Sequence, residues 1–234
     1  MTDYQWHADS AFVARGQSAP SKTDPRAWMV WHFTHVSNLA DIASAGELRP
    51  ASRVTPTTSV ADSGVKGRRQ GIDIVIPDDH YPASTVSDHV PFYIAAKSPM
   101  LYVDCKGYNT EYTGGRAPLI FLGCNLGDVI DSTVVWCASN GNAGSRFTEF
   151  SRDLPTLGSF VDFDLLCERQ WNNVPDDGDR TRRRAAEILV SGSVPLDLVT
   201  IVVAYDRQHR EAAERVLRSV PGPRDYYDDT NFYY

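Results

Sequence analysis

The amino-acid sequence predicts a single α+β domain. Its 234 residues are 42% hydrophobic, which is enough to bury a large core. Short apolar runs typical of strands alternate with amphipathic stretches typical of helices, and no internal repeat or low-complexity linker interrupts them. We expect residues 1–25 to form a flexible N-terminal segment and residues 26–234 to form the domain.

The first predicted elements lie between residues 28 and 46. Residues 28–34 (WMVWHFT) form an aromatic and β-branched run typical of a buried strand. A short helix is expected from Ser37, as its N-terminal cap, to Ala45, with Gly46 ending it. Residues 50–88 are rich in Ser, Thr, Pro, Asp and Gly around the motif GVKGRRQG, which predicts a long functional or mobile loop.

The rest of the chain continues the mixture of strands and helices. Further strands are predicted over 90–94, 119–123, 134–138, 186–190 and 199–205, and helices over 98–102, 160–171 and 208–220. Between them, residues 175–184 change from acidic to basic. This order of elements supports the α+β prediction.

The charge balance argues against binding nucleic acid through the overall field of the protein. With 23 basic and 30 acidic residues, the formal net charge is −7, so DNA or RNA binding requires a local basic patch. Apolar stretches such as 198–205 are far shorter than the roughly 20 residues that span a bilayer, and residues 1–15 lack the apolar centre of a signal peptide. We expect a soluble, cytoplasmic protein with no membrane partner.

The cysteines and the common motifs exclude several kinds of site. Cys105, Cys124, Cys137 and Cys167 form no C-x-x-C pair and have no histidine at ligand spacing, so we expect reduced thiols rather than a zinc site or a disulfide framework. No G-x-G-x-x-G, P-loop, G-x-S-x-G or H-E-x-x-H motif occurs in the sequence. No metal site is expected.

Three polar features conflict with the apolar pattern around them. His32 and Thr34 lie on one face of the first strand, and Glu187 lies in the apolar run AAEILV, where a carboxylate needs a partner or a cavity. Arg68 and Arg69 lie in the predicted loop, within reach of an anionic ligand. Each has a plainer interpretation: a hydrogen-bonded structural histidine, a surface ion pair and solvated arginines.

These features occur together in blocks that match one family. The blocks are WHFTHVSNLADI (31–42), VADSGVKGRRQ (60–70), DHVPFYIAAKSPMLY (88–102), RRRAAEILVSGSVPLDLV (182–199) and the aromatic tail (232–234). In content and order the chain resembles the DarT family of DNA ADP-ribosyltransferase toxins over nearly its whole length. One departure lies in SNGNA (139–143), where Asn140 and Asn142 replace an aspartate and a histidine often found in the family.

The resemblance implies an ADP-ribosyltransferase fold, with central split mixed β-sheets flanked by helices, that binds NAD as co-substrate and needs no metal. It implies transfer of ADP-ribose from NAD to thymidine bases in single-stranded DNA, with release of nicotinamide and a block to replication. It also implies a toxin–antitoxin pair, in which the partner is a macrodomain antitoxin of the DarG type.

Matched to the family's motifs, Glu187 is the catalytic glutamate and Arg69 the catalytic arginine. A carboxylate near the ribose stabilises the positive charge that develops as the nicotinamide bond breaks, and it can take the ring-nitrogen proton of thymine. A forked, permanently charged arginine suits the NAD phosphates and polarises the acceptor. The residues expected to bind NAD are His32, Phe33, Thr34, Asp41, Arg49, Arg69 and Tyr93. Tyr93 is expected to stack on nicotinamide, or else to be a buried aromatic with a satisfied hydroxyl.

DNA binding is expected from residues 142–187, which resemble the substrate-recognition loop before the catalytic glutamate, and from the other side of the cleft. The residues expected to contact DNA are Lys66, Arg68, Arg146, Arg152, Arg182 and Arg183, with Arg169, Arg180 and Arg184 in the same basic segment. Phe147, Phe150 and Trp171 are candidates to stack unpaired bases, although core packing is favoured for Trp171.

Two further classes of function fit the sequence. One is the same fold with protein or tRNA as the acceptor, and the other is a non-enzymatic nucleotide- or DNA-binding module. The presence of His32, Arg69 and Glu187 together argues against the second, since a simple binding module has no need of a carboxylate in an apolar strand. The bases around the target thymidine and the oligomeric state do not follow from the sequence.

Overall fold

The computed structural model describes residues 4–7, 11–14, 20–78, 80–132 and 135–234. Residues 1–3, 8–10 and 15–19 of the predicted N-terminal segment lie outside the described residues. Within that segment, strands Tyr4–His7 (β1) and Ala11–Ala14 (β2) pair antiparallel. The domain boundary at residue 26 stays a prediction.

The remaining elements follow in chain order. The strands are β3 (Met29–His35), β4 (Glu47–Leu48), β5 (His89–Tyr93), β6 (Leu119–Asn125), β7 (Trp136–Ser139), β8 (Phe150–Ser151), β9 (Glu187–Ser191), β10 (Val194–Pro195), β11 (Val199–Ala204) and β12 (Asp225–Asp228). The helices are α1 (Leu39–Ala45), α2 (Ser63–Gln70), α3 (Pro99–Cys105), α4 (Leu126–Ser132), α5 (Leu157–Phe160), α6 (Phe163–Leu166), α7 (Arg180–Arg184) and α8 (Arg207–Leu217).

Eight strands form one mixed sheet in the order β12-β11-β6-β3-β5-β9-β7-β8. Neighbours are antiparallel except for β11 and β12, which are parallel. Strands β3 and β5 share one register pair, Trp31 with Tyr93, whereas β3 and β6 pair along the whole length of β3. The sheet is therefore nearly split between β3 and β5, and the predicted α+β fold of mixed sheets flanked by helices is confirmed.

Alternation of side chains along the strands divides the core between the two faces of the sheet. On β6, Ile120 and Leu122 pack into one buried cluster, which also receives α1, α4 and α8. Phe121 packs into the other cluster, against Trp31. Gly123, opposite Trp31 in the sheet, leaves room for the Trp31 ring, because a Cβ at that position would lie 2.5 Å from it. The sheet is thus covered on both faces, and its strands are among the most buried parts of the chain.

Most predicted elements are found close to their expected bounds. The predicted strands 28–34, 90–94, 119–123, 186–190 and 199–205 correspond to β3, β5, β6, β9 and β11. Ser98 caps α3 by accepting a hydrogen bond from the Leu101 N–H at 3.2 Å, and α8 spans most of the predicted helix 208–220. The predicted strand 134–138 corresponds to β7, and its first residue, Val134, lies outside the described residues.

The largest difference from the sequence prediction is helix α2, which lies in the middle of the predicted loop 50–88. Its sequence, SGVKGRRQ, contains two glycines and has no apolar stripe, and none of its side chains is buried. Periodicity therefore gave no helical signal. The available signal was the cap: the Asp62 side chain accepts a hydrogen bond from the Val65 N–H at 2.7 Å. Arg68 and Arg69 consequently lie on a helix, not in a loop.

Two smaller predictions of local structure are also wrong. Ser37 does not cap α1; its N–H donates to Nδ1 of His35 at 3.1 Å, and residues 36–38 form a 3₁₀ turn before the helix. The predicted helix 160–171 is instead the pair α5 and α6, which ends at Leu166. Trp171 lies beyond it, where the chain turns back towards α7.

Candidate active site

The two residues expected to be catalytic form an ion pair that is largely shielded from solvent. Glu187 begins β9 and its side chain is 1% exposed, while Arg69, 118 positions earlier in the chain, is 14% exposed. Nη2 of Arg69 donates to Oε2 of Glu187 at 2.8 Å, and Nη1 donates to Oε1 at 3.2 Å. Burial acts to lower the pKa of Arg69, but the Glu187 carboxylate outweighs burial and raises it. The arginine therefore keeps its charge.

A tight turn after β7 wraps around Glu187. The Ala143 N–H donates to Oε1 of Glu187 at 3.1 Å, and the Glu187 N–H donates to Oγ of Ser139 at 3.0 Å. Ser139 in turn donates to the Gly141 carbonyl at 2.7 Å. The carboxylate is thus fixed by Arg69 and by a backbone amide. Sequence reasoning missed Ser139 and Ala143 because backbone donors and a single serine carry no recognisable pattern.

Asn142 stabilises this turn and does not contact Glu187. Its side-chain oxygen accepts from the Gly144 N–H at 2.8 Å, and its own N–H donates to the Arg182 carbonyl at 2.9 Å. The side chain is exposed. The departure from the family pattern at this position therefore leaves the Arg69–Glu187 pair in place.

A cavity of about 310 Å³ lies beside the ion pair. It is lined by every residue expected to bind NAD, namely His32, Phe33, Thr34, Asp41, Arg49, Arg69 and Tyr93. These residues come from β3, α1, β5, α2 and the segment after β4. The fold therefore brings together positions spread over 62 residues of sequence, and Arg69 belongs both to the cavity and to the pair.

His32 and Thr34 face this cavity with different hydrogen-bonding roles. Nδ1 of His32 lies 3.0 Å from the Pro91 carbonyl, which requires Nδ1 to carry the proton and leaves Nε2 as an acceptor. Burial lowers the pKa of His32, and the Arg69 charge lowers it further, so the imidazole is neutral near pH 7. The Thr34 hydroxyl accepts from the Asn38 side chain at 2.9 Å.

Asn38, which sequence reasoning missed, connects β3 to the segment that covers the cavity. Its Nδ2 donates to the Thr58 carbonyl and its Oδ1 accepts from the Thr58 N–H, both at 2.9 Å. Nearby, the Thr57 hydroxyl donates to Asp41 at 3.1 Å. Asp41 is exposed at the cavity edge. The sequence pattern did not single out Asn38, because asparagine is common in short turns for purely structural reasons.

Tyr93 lines the cavity and is also a core residue. Its ring stacks on Phe33, with 5.9 Å between centroids and 19° between planes, and its hydroxyl donates to Sδ of Met100 at 3.6 Å. Burial raises the pKa of Tyr93, with a further rise from the nearby Glu187 charge, so the phenol stays protonated. The surroundings are those of a buried aromatic with a partner for its hydroxyl, and stacking on nicotinamide stays a prediction.

The cations expected to contact DNA fall into two groups. Lys66, Arg68 and Arg146 form no ion pair with any residue in the described ranges. Lys66 lines the 310 Å³ cavity. Arg152, by contrast, pairs with Asp78 at 2.9 Å. The first three are therefore available to a ligand.

Arg182 and Arg183 are engaged within the protein. Arg182 pairs with Asp179 at 2.7 Å. Arg183 pairs with Asp162 at 3.0 Å and with Asp177 at 2.6 Å. Asp177 and Asp179 of segment 175–184 thus pair with two of its four arginines, which reduces the contribution of this segment to an electropositive groove.

Arg184 differs most from expectation, because it is buried and cannot face DNA. Its side chain is 1% exposed and lies among the largest buried side chains of the core. The guanidinium donates to the carbonyls of Lys97, Leu165, Leu166 and Glu168 at 2.8–3.3 Å. It joins the end of α6 to the segment before α3. Burial therefore removes Arg184 from any DNA-binding role of the basic segment in which the sequence placed it.

A second, wider cavity of about 930 Å³ lies between residues 71–78 and 145–153 and is lined by Arg146. Phe147, on the turn beside it, is 83% exposed. Trp171 instead packs edge-on against Tyr102 with 5.7 Å between centroids, as favoured for a core residue. Phe150 also lines this cavity but is half-buried against a core cluster, so Phe147 is the most exposed of the three candidate stacking aromatics.

The model of one protein family, described as "ssDNA thymidine ADP-ribosyltransferase, DarT", matches residues 31–234. The chain belongs to the DarT family. The resemblance inferred from its sequence blocks is confirmed. A relative from Mycobacterium tuberculosis, named DNA ADP-ribosyl transferase, is 52% identical over 230 residues, or 98% of this chain and 99% of the relative.

Solved DarT structures share the fold of this chain. Thermus sp. 2.9 DarT in complex with ADP-ribosylated ssDNA matches with a TM-score of 0.80 and 24% identity over 91% of this chain and 99% of that one. The same Thermus protein in complex with NAD⁺ matches with a TM-score of 0.74 and 24% identity over 92% and 99% of the two chains. Both likenesses show the fold.

Neither a metal cluster nor a membrane span is found in the described parts of this DarT chain. No group of three or more His, Cys, Asp and Glu residues there is arranged to hold a metal ion. No helix there has the length and apolar character needed to cross a bilayer. All four cysteines are free thiols, with Cys124 and Cys137 buried.

Proposed function

We propose that this protein transfers ADP-ribose from NAD to thymidine bases in single-stranded DNA and releases nicotinamide. The observation that carries the proposal is the bidentate Arg69–Glu187 pair at the edge of a cavity lined by all the residues expected to bind NAD. Membership of the DarT family supports the acceptor. The relatives named above support NAD as co-substrate and DNA as the modified molecule.

Glu187 acts both when the bond from nicotinamide to ribose breaks and when the bond from thymine to ribose forms. The bond between nicotinamide nitrogen and ribose C1′ breaks, and nicotinamide leaves as a neutral molecule. The carboxylate stabilises the positive charge that develops on the ribose. A thymine ring nitrogen then bonds to C1′, and its proton passes to Glu187, because that nitrogen is too weakly acidic to ionise unaided near neutral pH.

Arg69 supplies a fixed cation beside the carboxylate. Both its terminal nitrogens donate to Glu187. On binding, the forked guanidinium shares its donors between the NAD diphosphate and the acceptor base, which frees one carboxylate oxygen for the proton. Its raised pKa keeps this charge constant over the working pH range.

NAD is held by the residues of the 310 Å³ cavity. His32, Phe33 and Thr34 grip the nicotinamide and its ribose from β3, with Nε2 of the neutral His32 as an acceptor. Tyr93 packs beneath them. Asp41 and Arg49 bind at the exposed edge of the cavity, where Arg49 now pairs with Glu47 at 2.7 Å.

Single-stranded DNA approaches from the side of the unpaired cations. Lys66, Arg68 and Arg146 contact phosphates. Phe147 follows four residues after Ala143, whose N–H binds Glu187, so its exposed ring is placed to stack a base next to the target. Arg152, Arg182 and Arg183 contribute at longer range, since each is already paired with a carboxylate. With a net charge of −7, this local patch must supply the attraction.

In the cell the protein acts as the toxin of a toxin–antitoxin pair in the cytoplasm, where its adducts block replication. Its partner is a macrodomain antitoxin of the DarG type that removes the ADP-ribose. Membership of the DarT family supports this role.

The test incubates the protein with NAD and a thymidine-containing oligonucleotide, either alone or annealed to its complement. An ADP-ribose adduct on a thymidine of the single strand, with much less on the duplex, is the expected result, because the ring nitrogen is occupied in a base pair. An oligonucleotide with cytidine at every thymidine position is the matched control. Parallel reactions with tRNA and with a protein extract test the other acceptors. NAD left intact in every reaction would favour a non-enzymatic binding module.

A further inference from the structure

Helix α2 carries Arg69 but buries no apolar face against the rest of the protein. None of its side chains is buried, although Val65, Lys66, Arg69 and Gln70 line one wall of the 310 Å³ cavity. A helix normally keeps its position by packing an apolar face. Helix α2 must therefore be held by polar contacts at its two ends.

The C-terminal end of α2 is held by the catalytic pair itself, and the N-terminal end is held by Glu111. The Ser63 N–H donates to Oε2 of Glu111 at 2.8 Å, and the Ser63 hydroxyl donates to Oε1 at 2.7 Å. Both carboxylate oxygens are thus used on the first residue of the helix. A negative charge at a helix N-terminus is favourable in itself.

Glu111 is anchored to a buried polar network behind it. Oδ1 of Asn109 accepts from the Glu111 N–H at 3.0 Å and from the Tyr112 N–H at 3.1 Å. Nδ2 of Asn109 donates to Asp104 at 2.9 Å and to the Val60 carbonyl at 2.8 Å. Asp104 is fully buried and Asn109 is 5% exposed. The segment 104–112 therefore forms a rigid base for the chain that enters α2.

We infer that Glu111 is a positioning residue for the transfer reaction, which sets the place of α2 and thereby aims Arg69 at Glu187. This inference rests on the proposed function. Glu111 is exposed, and it touches neither the cavity lining nor the catalytic pair. Its effect reaches the reaction through Ser63 and the two helical turns that separate Ser63 from Arg69.

The consequence of losing Glu111 follows from the contacts that remain. Without it, α2 keeps the Asp62 cap and the ion pair, and Arg69 samples positions in which its donors miss the transition-state charge. Catalysis by fixed donors is sensitive to shifts of about 1 Å. We expect Glu111→Ala to lower kcat about ten-fold, the scale of one charge-assisted hydrogen bond. Ser63→Ala, which keeps the backbone contact, should lower it less.

The first experiment compares Glu111→Ala with Glu211→Ala, a matched control in which an exposed glutamate of α8 loses its contact with Arg207. Steady-state kinetics with NAD and a single-stranded oligonucleotide should show a fall in kcat for the first variant only, with both melting temperatures near that of the wild type. Glu111→Gln, which keeps one acceptor oxygen, should recover part of the loss. Unchanged kcat in Glu111→Ala would overturn the inference.

Two further measurements separate positioning from general stability and from the proposed function. In an Arg69→Lys background, Glu111→Ala should have little additional effect on transfer, since the group it aims is already gone; equal losses in both backgrounds would contradict the inference. Amide hydrogen exchange of residues 65–70 should accelerate in Glu111→Ala while that of β9 does not. Exchange needs no activity, so it tests the contact even if the wild type fails to modify DNA, which would refute the proposed function alone.

Discussion

Arg69 is largely shielded from solvent and Arg184 is fully buried, and their guanidinium groups bind different kinds of partner. Arg69 meets a carboxylate, Glu187, in a bidentate pair at the edge of a cavity. Arg184 forms no ion pair with a carboxylate in the described ranges and donates instead to four backbone carbonyls. Correspondingly, the pKa of Arg69 is raised by its partner, whereas burial lowers the pKa of Arg184 to about 10.

This difference in partners distinguishes the catalytic charge of Arg69 from the structural charge of Arg184. Arg69 can exchange its partner, because a substrate phosphate or base can take the place of one carboxylate oxygen at the cavity edge. Arg184 cannot, because its partners are main-chain groups of the core and no solvent reaches it. Burial alone therefore does not mark a catalytic arginine; the identity of the partner and access to a cavity do.

The largest expected effect comes from removing the charge of Glu187. Glu187→Gln keeps the size of the side chain and an acceptor for the Ala143 N–H, but it stabilises neither the developing ribose charge nor the thymine proton. Transfer to single-stranded DNA should fall at least ~10²-fold. The measurement is adduct formation at saturating NAD and DNA, beside a melting curve that shows the variant folded. Residual transfer above a hundredth of the wild-type rate would contradict the assignment.

Arg69 and Arg68 are neighbours on α2, but their substitutions should affect different kinetic constants. Arg69→Lys loses the bidentate geometry, so kcat should fall by about 10²-fold even at saturating DNA. Arg68→Ala should leave kcat within about two-fold of the wild type, while KM for DNA rises and its dependence on salt weakens by about one charge. Kinetics over a range of salt concentrations measure both. Equal, purely affinity-type defects would mean that the catalytic arginine is misassigned.

Arg184 should matter for stability more than for chemistry. Arg184→Met fills most of the volume but leaves carbonyls near the end of α6 without their donor. We expect a loss of about 3 kcal/mol in the free energy of unfolding, and a melting temperature lower by about 10 °C. Activity per folded molecule, measured well below that temperature, should change less than ten-fold. A variant of normal stability with abolished turnover would make Arg184 part of the active site.

The smallest expected effect concerns Asp104, in the network behind Glu111. Burial raises the pKa of this carboxyl from 3.8 to about 6, with one hydrogen bond from Asn109 in partial compensation. Its neutral form is thus favoured by folding, so its contribution to stability is complete below pH 4 and is lost as the pH rises through 6. Asp104→Asn should therefore become more stable relative to the wild type between pH 4 and pH 7, by on the order of 1–2 kcal/mol. Melting curves at several pH values test this, and a constant difference would refute it.

The sequence by itself determined the α+β class, most of the strands and the identity of the conflicting polar residues. Strands such as β3 and β9 are continuous apolar runs, so His32, Thr34 and Glu187 stand out within them without any structure. The sequence blocks also indicated seven residues expected to bind NAD, and the fold brings all seven together in the lining of one cavity. Strand patterns and sequence motifs depend on residues that are close together in the chain, so the sequence alone was enough to identify them.

Only the tertiary structure decided which partner each charged group meets. The hydrophobic pattern did not predict helix α2, because none of its side chains is buried in the core. Its two ends are bound by Glu111, 48 residues after Ser63, and by Glu187, 118 residues after Arg69. The arginines of segment 180–184 look alike in sequence, yet Arg183 pairs with nearby aspartates and Arg184 is sealed in the core. Whether a charge is solvated, paired or catalytic depends on distances of 3–4 Å between residues far apart in the chain, and only folding sets those distances.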